Sequence, residues 1–364
     1  MHDDERFMHR AIALAKTPGF TSPNPRVGAV LVRDGTVLSE GVHRGAGTPH
    51  AEVEALRDAD ARGATLYVNL EPCNHEGRTP PCAPLLISSG LARVVVATQD
   101  PDRRVAGDGI RALRTGGIDV TVGVLEDAAK HLNAPFLHHR STGRSYLSLK
   151  LALSLDGRLA APDGTSRWIT GPEARARVHA RRLEADAVMV GAGTIAKDNP
   201  ELTARHLEGD TPRQPLRIVT DSTGRVDPSA RVFSAPGSLL VATTERCPHE
   251  VQIAWKEAGA EVVVLPATEH GVDVDGLMQA LGRREVMEVL CEGGAGLATS
   301  LLRADLVDRL ELYQGPVLLG GGGAEIGPLG VATMADVVRW STVAVEQLSD
   351  DALIVLERRR GVVD

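Results

Sequence analysis

His50 and Glu52 stand two residues apart, and Cys73 and Cys82 follow a β-rich segment further along the chain. One imidazole and two thiols form a three-ligand set for a soft or borderline cation such as zinc, and a catalytic zinc keeps its fourth position for water. Bound zinc lowers that water's pKa toward about 7, and a carboxylate two residues from the ligand histidine is placed to move its protons. Glu52 is therefore the expected catalytic residue, with His50, Cys73 and Cys82 as metal ligands. The order H-x-E and then two cysteines is that of nucleobase deaminases, whose cysteines usually stand as P-C-x-x-C. Here eight residues separate them. His50 to Glu52 are expected to open a helix, and Pro80 and Pro81 suit the first turn of another, whose positive N-terminus favours a thiolate at Cys82. Any one of these residues alone is commonplace in a core or on a surface; their conjunction is what points to zinc. Cys247 and His249 have no second pair nearby to complete a similar set.

A different chemistry is written in VMEVLCEGGAGLATSLL, residues 286–302, which reads as strand, glycine-rich turn and helix. Such a turn brings backbone N–H groups close to a pyrophosphate at a helix N-terminus. Upstream, Gly191, Gly193 and Ala196 satisfy G-x-G-x-x-A, but Asn199-Pro200 stops the following helix too early for the standard dinucleotide fold. The expectation is a nucleotide site assembled from several strand ends. Arg182 and Arg205 suit phosphate clamps and equally suit solvated charges. Ser222 with Arg225 would take the 2′-phosphate that separates NADP from NAD. Trp168 reads more readily as a core residue than as a cofactor contact, and glycines 320–323 as a strand-end loop.

The elements that must carry these residues alternate. RVGAVLV, TVLSEGV, TLYVNLEP and RVVVATQD are strand-like, whereas ERFMHRAIALAK, HAEVEALRDA and GIRALRTGG have helical spacing. A second α/β series starts at SYLSLKLALSL and runs through DAVMVGAG, LRIVTDS, SLLVATT, EVVVLP, VMEVLCEGG and LELYQGPVLLGG. Between the two, HLNAPFLHHRSTGRS lacks apolar periodicity and is read as a junction near residue 145, giving domains 1–145 and 146–364 in a chain of 364 residues. With 40 basic against 48 acidic residues the net charge is −8, which disfavours nucleic acid or an anionic membrane as the main partner. Only 3 Trp, 3 Tyr and 4 Phe are available for stacking on single-stranded bases. No secretory leader and no apolar run of membrane-spanning length is read, and the sparse cysteines do not form a disulfide framework, so a cytoplasmic location is expected.

HAE at 50–52, EPCNHEGRTPPC at 71–82, SPNPRVGAV and GVHRGAG together resemble the deaminase half of the bifunctional riboflavin-biosynthesis deaminase/reductase family, whose cysteine loop has this lengthened spacing. LKLALSLDGRLA, SRWITG, GAGTIAKDNPELTAR and EGGAGLATSLL resemble its reductase half. The resemblance implies a cytidine-deaminase-like three-layer α/β domain followed by a dihydrofolate-reductase-like α/β domain, with one zinc ion in the first and NADPH in the second. It also implies pyrimidine ribotide substrates and a homodimer formed through the second domain. Asn24 and His43 would line the pyrimidine pocket and Arg78 hold the substrate phosphate. In the second domain the substrate-contacting positions fall on Ser166, Arg182, Leu202, Arg205 and Glu292; Lys150 lies in the motif LKLALSLDGRLA and is expected to contact the substrate or its transition state. The cofactor positions fall on Ala152, Trp168, Thr194, Asp198, Ser222, Gly294, Ala295, Gly296, Leu297, Ala298, Thr299 and Ser300. The chain departs from the family pattern at Asn74, Ser145, Val317 and the Asp102–Arg104 run, none of them a zinc ligand. Two rival classes stand beside this reading: a nucleic-acid-editing deaminase with a binding module, and a reductase with a structural zinc domain.

Overall fold

The structure is a computed structural model that describes residues 3–76, 79–102, 106–205 and 213–358. The chain divides into two units, 1–143 and 144–364. In the first, the elements follow as α1 (Asp3–Ala15), β1 (Gly28–Arg33), β2 (Thr36–Val42), α2 (Ala51–Leu56), β3 (Thr65–Leu70), α3 (Cys82–Ser88), β4 (Arg93–Thr98), α4 (Asp108–Thr115), β5 (Asp119–Val122), α5 (Glu126–Leu132) and α6 (Ala134–Thr142). The sheet order is β2–β1–β3–β4–β5, with β3, β4 and β5 parallel. Successive strand residues point to opposite faces: Ala29, Leu31, Leu66, Val68, Val94 and Val96 meet α2, α3 and α4, whereas Val30, Val32, Tyr67, Val95 and Ala97 meet α1 and α5. Three layers result, as a sheet buried on both faces requires. Gly41 decides how α2 seats on β2, because a Cβ there would lie 2.0 Å from the Ala51 carbonyl oxygen.

The segment read from sequence as an irregular junction is helical. Helix α6 begins with proline in its first turn and closes on Gly143 in the left-handed conformation. Its buried face holds Phe136 and His139, so a polar residue occupies a position that an apolar pattern would have revealed.

The second unit contains β6 (Tyr146–Leu153), α7 (Pro172–Glu184), β7 (Ala187–Gly191), α8 (Ala192–Asp198), β8 (Leu216–Thr220), α9 (Arg231–Ser234), β9 (Leu239–Thr243), α10 (His249–Glu257) and β10 (Glu261–Val264). It continues through β11 (Ala267–Thr268), β12 (Gly271–Val272), α11 (Val274–Gly282), β13 (Glu288–Cys291), α12 (Ala295–Arg303), β14 (Arg309–Gln314), β15 (Trp340–Leu348) and β16 (Asp351–Arg358). The nine-stranded sheet runs β10–β9–β8–β7–β13–β6–β14–β16–β15. Met189, Ile218, Leu240 and Val289 pack with α11 and α12 on one face, and Val188, Val219 and Val241 pack with α8, α9 and α10 on the other. The short α8 ends at Asn199 in the left-handed conformation, so no long helix follows β7. The β15–β16 hairpin was not among the strands read from the sequence. Among the described residues, no helix is long and apolar enough to cross a membrane.

Candidate active sites

In the first unit, chain direction changes place three donor atoms together. His50 caps α2 from an extended conformation, and Cys82 is the first residue of α3, with Pro81 as its cap. Glu71, at the end of β3, is fixed by accepting the backbone N–H groups of Asp100, Gly107 and Ile110, each at 3.1 Å, which anchors the approach to Cys73. His50 Nδ1 lies 3.2 Å from Cys82 Sγ and 3.5 Å from Cys73 Sγ, and the three donor atoms lie within 4.8 Å of one another. Tetrahedral zinc at its usual bond lengths spaces N and S donors roughly 3.5–3.8 Å apart, so the residues present fit that ion. The other face of the His50 ring is held by Thr79, whose Oγ1 is 3.0 Å from Nε2, an outer partner of the kind that fixes a ligand's orientation. Thr79 was not singled out from the sequence.

The electrostatics agree with the donor chemistry. Hydrogen bonding from the Cys82 thiol, and then from His50, draws the Cys73 thiol well below its usual range. Glu52 is 3% exposed. Burial pushes its carboxyl up to about 7, where a group both accepts and returns protons near neutrality. His43 Nδ1 lies 3.0 Å from the Pro49 carbonyl oxygen and Nε2 lies 2.8 Å from Asn24 Nδ2. Nδ1 therefore carries the proton and Nε2 accepts from the amide. Burial lowers the His43 pKa and keeps the ring neutral. Its ring centroid is 5.3 Å from that of His50, so Asn24 and His43 sit beside the donor triad. Arg78 lies outside the described residues. Among the described residues, no other group of His, Cys, Asp and Glu gathers in this way, and Cys247 is buried beside Gly224.

The second unit holds a cavity of about 830 Å³ over the strand ends. Lys150, Ala152, Ser166, Trp168, Arg182, Thr194, Asp198, Leu202, Ser222, Glu292, Gly294, Ala295, Gly296, Leu297 and Ser300 all line it. Three expected contacts do not. Ala298 turns into the core, and Thr299 Oγ1 donates to the Ala295 carbonyl at 2.7 Å while accepting from Gly327 N–H at 2.8 Å. The contact run read from the motif is thus split by the helical period, which leaves only one face of α12 to the cavity. Arg205 is exposed and pairs with Glu201 at 2.6 Å.

Arg182 is not a free clamp. Its Nε and Nη2 donate to the two Glu292 carboxylate oxygens at 2.6 and 3.0 Å, and Nη1 donates to the Thr203 carbonyl at 2.8 Å. Lys150 alternates along β6 with Leu149 and Leu151, which belong to the apolar core, so it points to the opposite face. Its Nζ lies 5.6 Å from the Tyr313 ring centroid, and burial depresses its pKa against the pull of Glu292. Trp168 is 65% exposed, which excludes a core role, and the Arg175 guanidinium lies 4.2 Å from its ring centroid. Arg175, Lys197, Thr220 and His270 also line the cavity and were missed. Only Thr220, at the end of a readable strand, carried a positional signal. Ser145, a family departure, is buried and donates from Oγ to the Val286 carbonyl at 2.7 Å, while Val317 meets Leu155 through its backbone.

Comparison with known proteins gives two family matches: residues 145–354 with the RibD C-terminal domain, and residues 1–98 with the cytidine and deoxycytidylate deaminase zinc-binding region. The chain is 41% identical over 358 residues to the riboflavin biosynthesis protein RibD of Aquifex aeolicus, covering 98% of each. It is 41% identical over 367 residues to that of Escherichia coli, covering 97% of this chain and 99% of the other. Among solved structures, Acinetobacter baumannii RibD superposes with a TM-score of 0.85 at 38% identity, covering 98% of this chain and 99% of that one. A Thermotoga maritima diaminohydroxyphosphoribosylaminopyrimidine deaminase/5-amino-6-(5-phosphoribosylamino)uracil reductase does so with a TM-score of 0.81 at 36% identity, with the same coverage.

Proposed function

The chain belongs to the RibD family of riboflavin biosynthesis proteins and is a bifunctional zinc-dependent deaminase and NADPH-dependent reductase; from that premise we propose which of its residues perform each reaction. The first unit hydrolyses the 2-amino group of 2,5-diamino-6-ribosylamino-4(3H)-pyrimidinone 5′-phosphate. The second reduces the ribosyl group of 5-amino-6-(5-phosphoribosylamino)uracil to ribityl.

The observation that carries the first assignment is the convergence of His50, Cys73 and Cys82 with the buried Glu52 two residues from the histidine. Zinc bound by these three residues supplies a Lewis acid that ionises water near neutral pH. Glu52 would take one proton of the attacking water and pass it to the ring nitrogen as oxygen adds to C2, then carry the second proton, from the resulting hydroxyl, to the amino group as ammonia leaves. Asn24 and His43 orient the pyrimidine, and Thr79 holds the His50 ring in its ligating pose. Arg78 is assigned the substrate phosphate, where a planar guanidinium binds two oxygens at once.

In the second unit NADPH is the hydride donor. The turn at Gly294 to Gly296 opens α12 and offers N–H groups to the pyrophosphate. Ala152, Trp168, Thr194, Asp198, Leu297 and Ser300 shape the cofactor's bed, and Ser222 with Arg225 takes the 2′-phosphate. Ser166, Leu202 and Lys150 face the substrate, and the Arg182–Glu292 pair forms a rigid wall of its pocket. Their common task is to hold the open-chain C1′ against the nicotinamide. The acidic balance supports small-molecule substrates without nucleic acid or membrane partners, and the reading includes a cytoplasmic homodimer joined through the second unit.

A coupled assay on the purified protein tests both assignments, following ammonia release and then NADPH oxidation, with Glu52→Gln in parallel. The expected result is that Glu52→Gln lowers ammonia release from the diaminopyrimidinone ribotide by about 10²-fold or more while NADPH oxidation on supplied deaminated intermediate persists. Retained ammonia release would remove Glu52 from the mechanism.

A further inference from the structure

The reductase cavity spans the carboxyl ends of the neighbouring parallel strands β6, β13, β7 and β8. Lys150 and Ala152 on β6 mark one end, and Ser222 and Arg225 after β8 mark the other. Three strand spacings separate these ends, roughly 14 Å, a distance an extended dinucleotide covers from nicotinamide to adenosine ribose. The glycine-rich turn after β13 lies between them, where the pyrophosphate belongs.

The β8 end is completed by the small hairpin β11–β12, whose turn residue His270 lines the cavity. The turn is tied on itself: Thr268 Oγ1 donates to the Gly271 carbonyl at 3.0 Å and accepts from His270 N–H at 3.2 Å. Gly271 has φ +117°, and a Cβ there would lie 3.1 Å from Ser222 Oγ, so the hairpin rests directly against Ser222. The Ser222 carbonyl in turn accepts from Thr244 Oγ1 at 2.7 Å. Asp221, next in sequence, directs its carboxylate into its own loop, where it accepts from the N–H groups of Thr223, Gly224 and Val226 at 3.2, 3.1 and 2.7 Å. Its side chain is fully buried and held by these backbone donors, with the exposed Arg225 Nε a further 3.9 Å from Oδ1, so the carboxylate is not presented to the cavity and sets one edge of the guanidinium. Among the described residues lining the cavity, the two carboxylates are Asp198 on α8 and Glu292 after β13. The loop after β8 offers the Ser222 hydroxyl and the largely exposed Arg225 guanidinium, and the hairpin adds the His270 imidazole, a donor set suited to a phosphate dianion.

We propose that His270 is a third binding residue for the 2′-phosphate of NADPH, donating a ring N–H beside Ser222 and Arg225, and that the hairpin thereby sets discrimination between phosphorylated and unphosphorylated dinucleotide. The inference rests on the assignment of Ser222 and Arg225 to that phosphate.

Isothermal titration of the full chain with 2′,5′-ADP and with 5′-AMP tests it without any hydride transfer, comparing wild type, His270→Ala and Arg225→Ala. The wild type is expected to prefer 2′,5′-ADP. His270→Ala is expected to lose about five- to tenfold of that preference, the effect of one charge-assisted hydrogen bond at an exposed site, with 5′-AMP binding unchanged as the check on folding. A preference abolished by Arg225→Ala but intact in His270→Ala overturns the role of His270 alone. Equal loss of both ligands in His270→Ala also overturns it. A wild type that binds the two ligands equally overturns the Ser222–Arg225 assignment and this inference together.

Discussion

The two sites of this chain are built in contrasting ways. The deaminase site concentrates its chemistry in a few side chains, His50, Glu52, Cys73 and Cys82, brought together at the starts of α2 and α3 and the end of the β3 segment. The reductase cavity spreads its lining from Lys150 to Ala324 and relies on glycines, backbone groups and small side chains as much as on charged ones. A metal site is defined by donor atoms and so depends steeply on each of them, whereas a dinucleotide site is defined by shape and tolerates the loss of most single contacts. The contrast predicts unequal sensitivity to substitution.

The largest expected effect is at Glu52. Glu52→Gln should lower the deaminase rate by about 10²- to 10⁴-fold, the range for loss of a positioned proton carrier, with reductase turnover on supplied intermediate within twofold of wild type, roughly the scatter of a remote substitution. A matched fall in both activities would erase the distinction between the sites. Cys82→Ser should next reduce bound zinc, measured by metal analysis of the purified protein, and deamination with it, while the NADPH dissociation constant stays unchanged.

An intermediate effect is expected where the reductase cavity does depend on one pair. Glu292→Leu leaves the Arg182 guanidinium buried without its bidentate partner, an arrangement that costs about 3 kcal/mol or more. It should lower the melting temperature of the second unit and raise the KM for the ribosylaminouracil. An unchanged melting temperature would show that water reaches and solvates the guanidinium.

The smallest effects separate neighbouring positions on α12. Ser300→Ala should weaken NADPH binding a few-fold, on the order of one exposed hydrogen bond. Thr299→Ala, which releases Gly327 from its hydrogen bond, should cost about 1 kcal/mol of stability and leave the NADPH dissociation constant unaltered. Reversal of that pattern would mean that α12 presents a different face to the cofactor.

Much of the deaminase site was legible because residue type and order encode donor chemistry directly. The strand before Cys73 and the helix after Cys82 were readable from apolar alternation and from the prolines. Thr79 escaped notice because a threonine in a loop carries no sign of what its hydroxyl meets until the loop is folded. In the reductase half the glycine-rich turn could be read, but not which side of α12 it serves: Thr299 and Ser300 are adjacent in sequence and face different surroundings. Arg182 illustrates the same gap, since nothing in its local sequence announces that Glu292 occupies its fork. Helix α6 was missed because its buried face includes His139 in place of an apolar residue.

Residue type and short-range spacing by themselves determined the zinc hydrolytic chemistry, the presence of a nucleotide site and the two-part α/β architecture, through a soft-donor triad with its carboxylate, a glycine turn between strand and helix, and apolar strands of period two; the reductase activity and the substrates came from the resemblance of longer motifs to a known family. Tertiary structure alone decided which polar groups are already consumed by partners and which remain for substrate. It closed Arg182 on Glu292, turned the Asp221 carboxylate into its own loop, and laid the His270 hairpin against Ser222. The first and third depend on contacts between segments remote in the chain and the second on the conformation of a loop, and a side chain's availability for chemistry depends on what folding has placed within hydrogen-bonding reach of it.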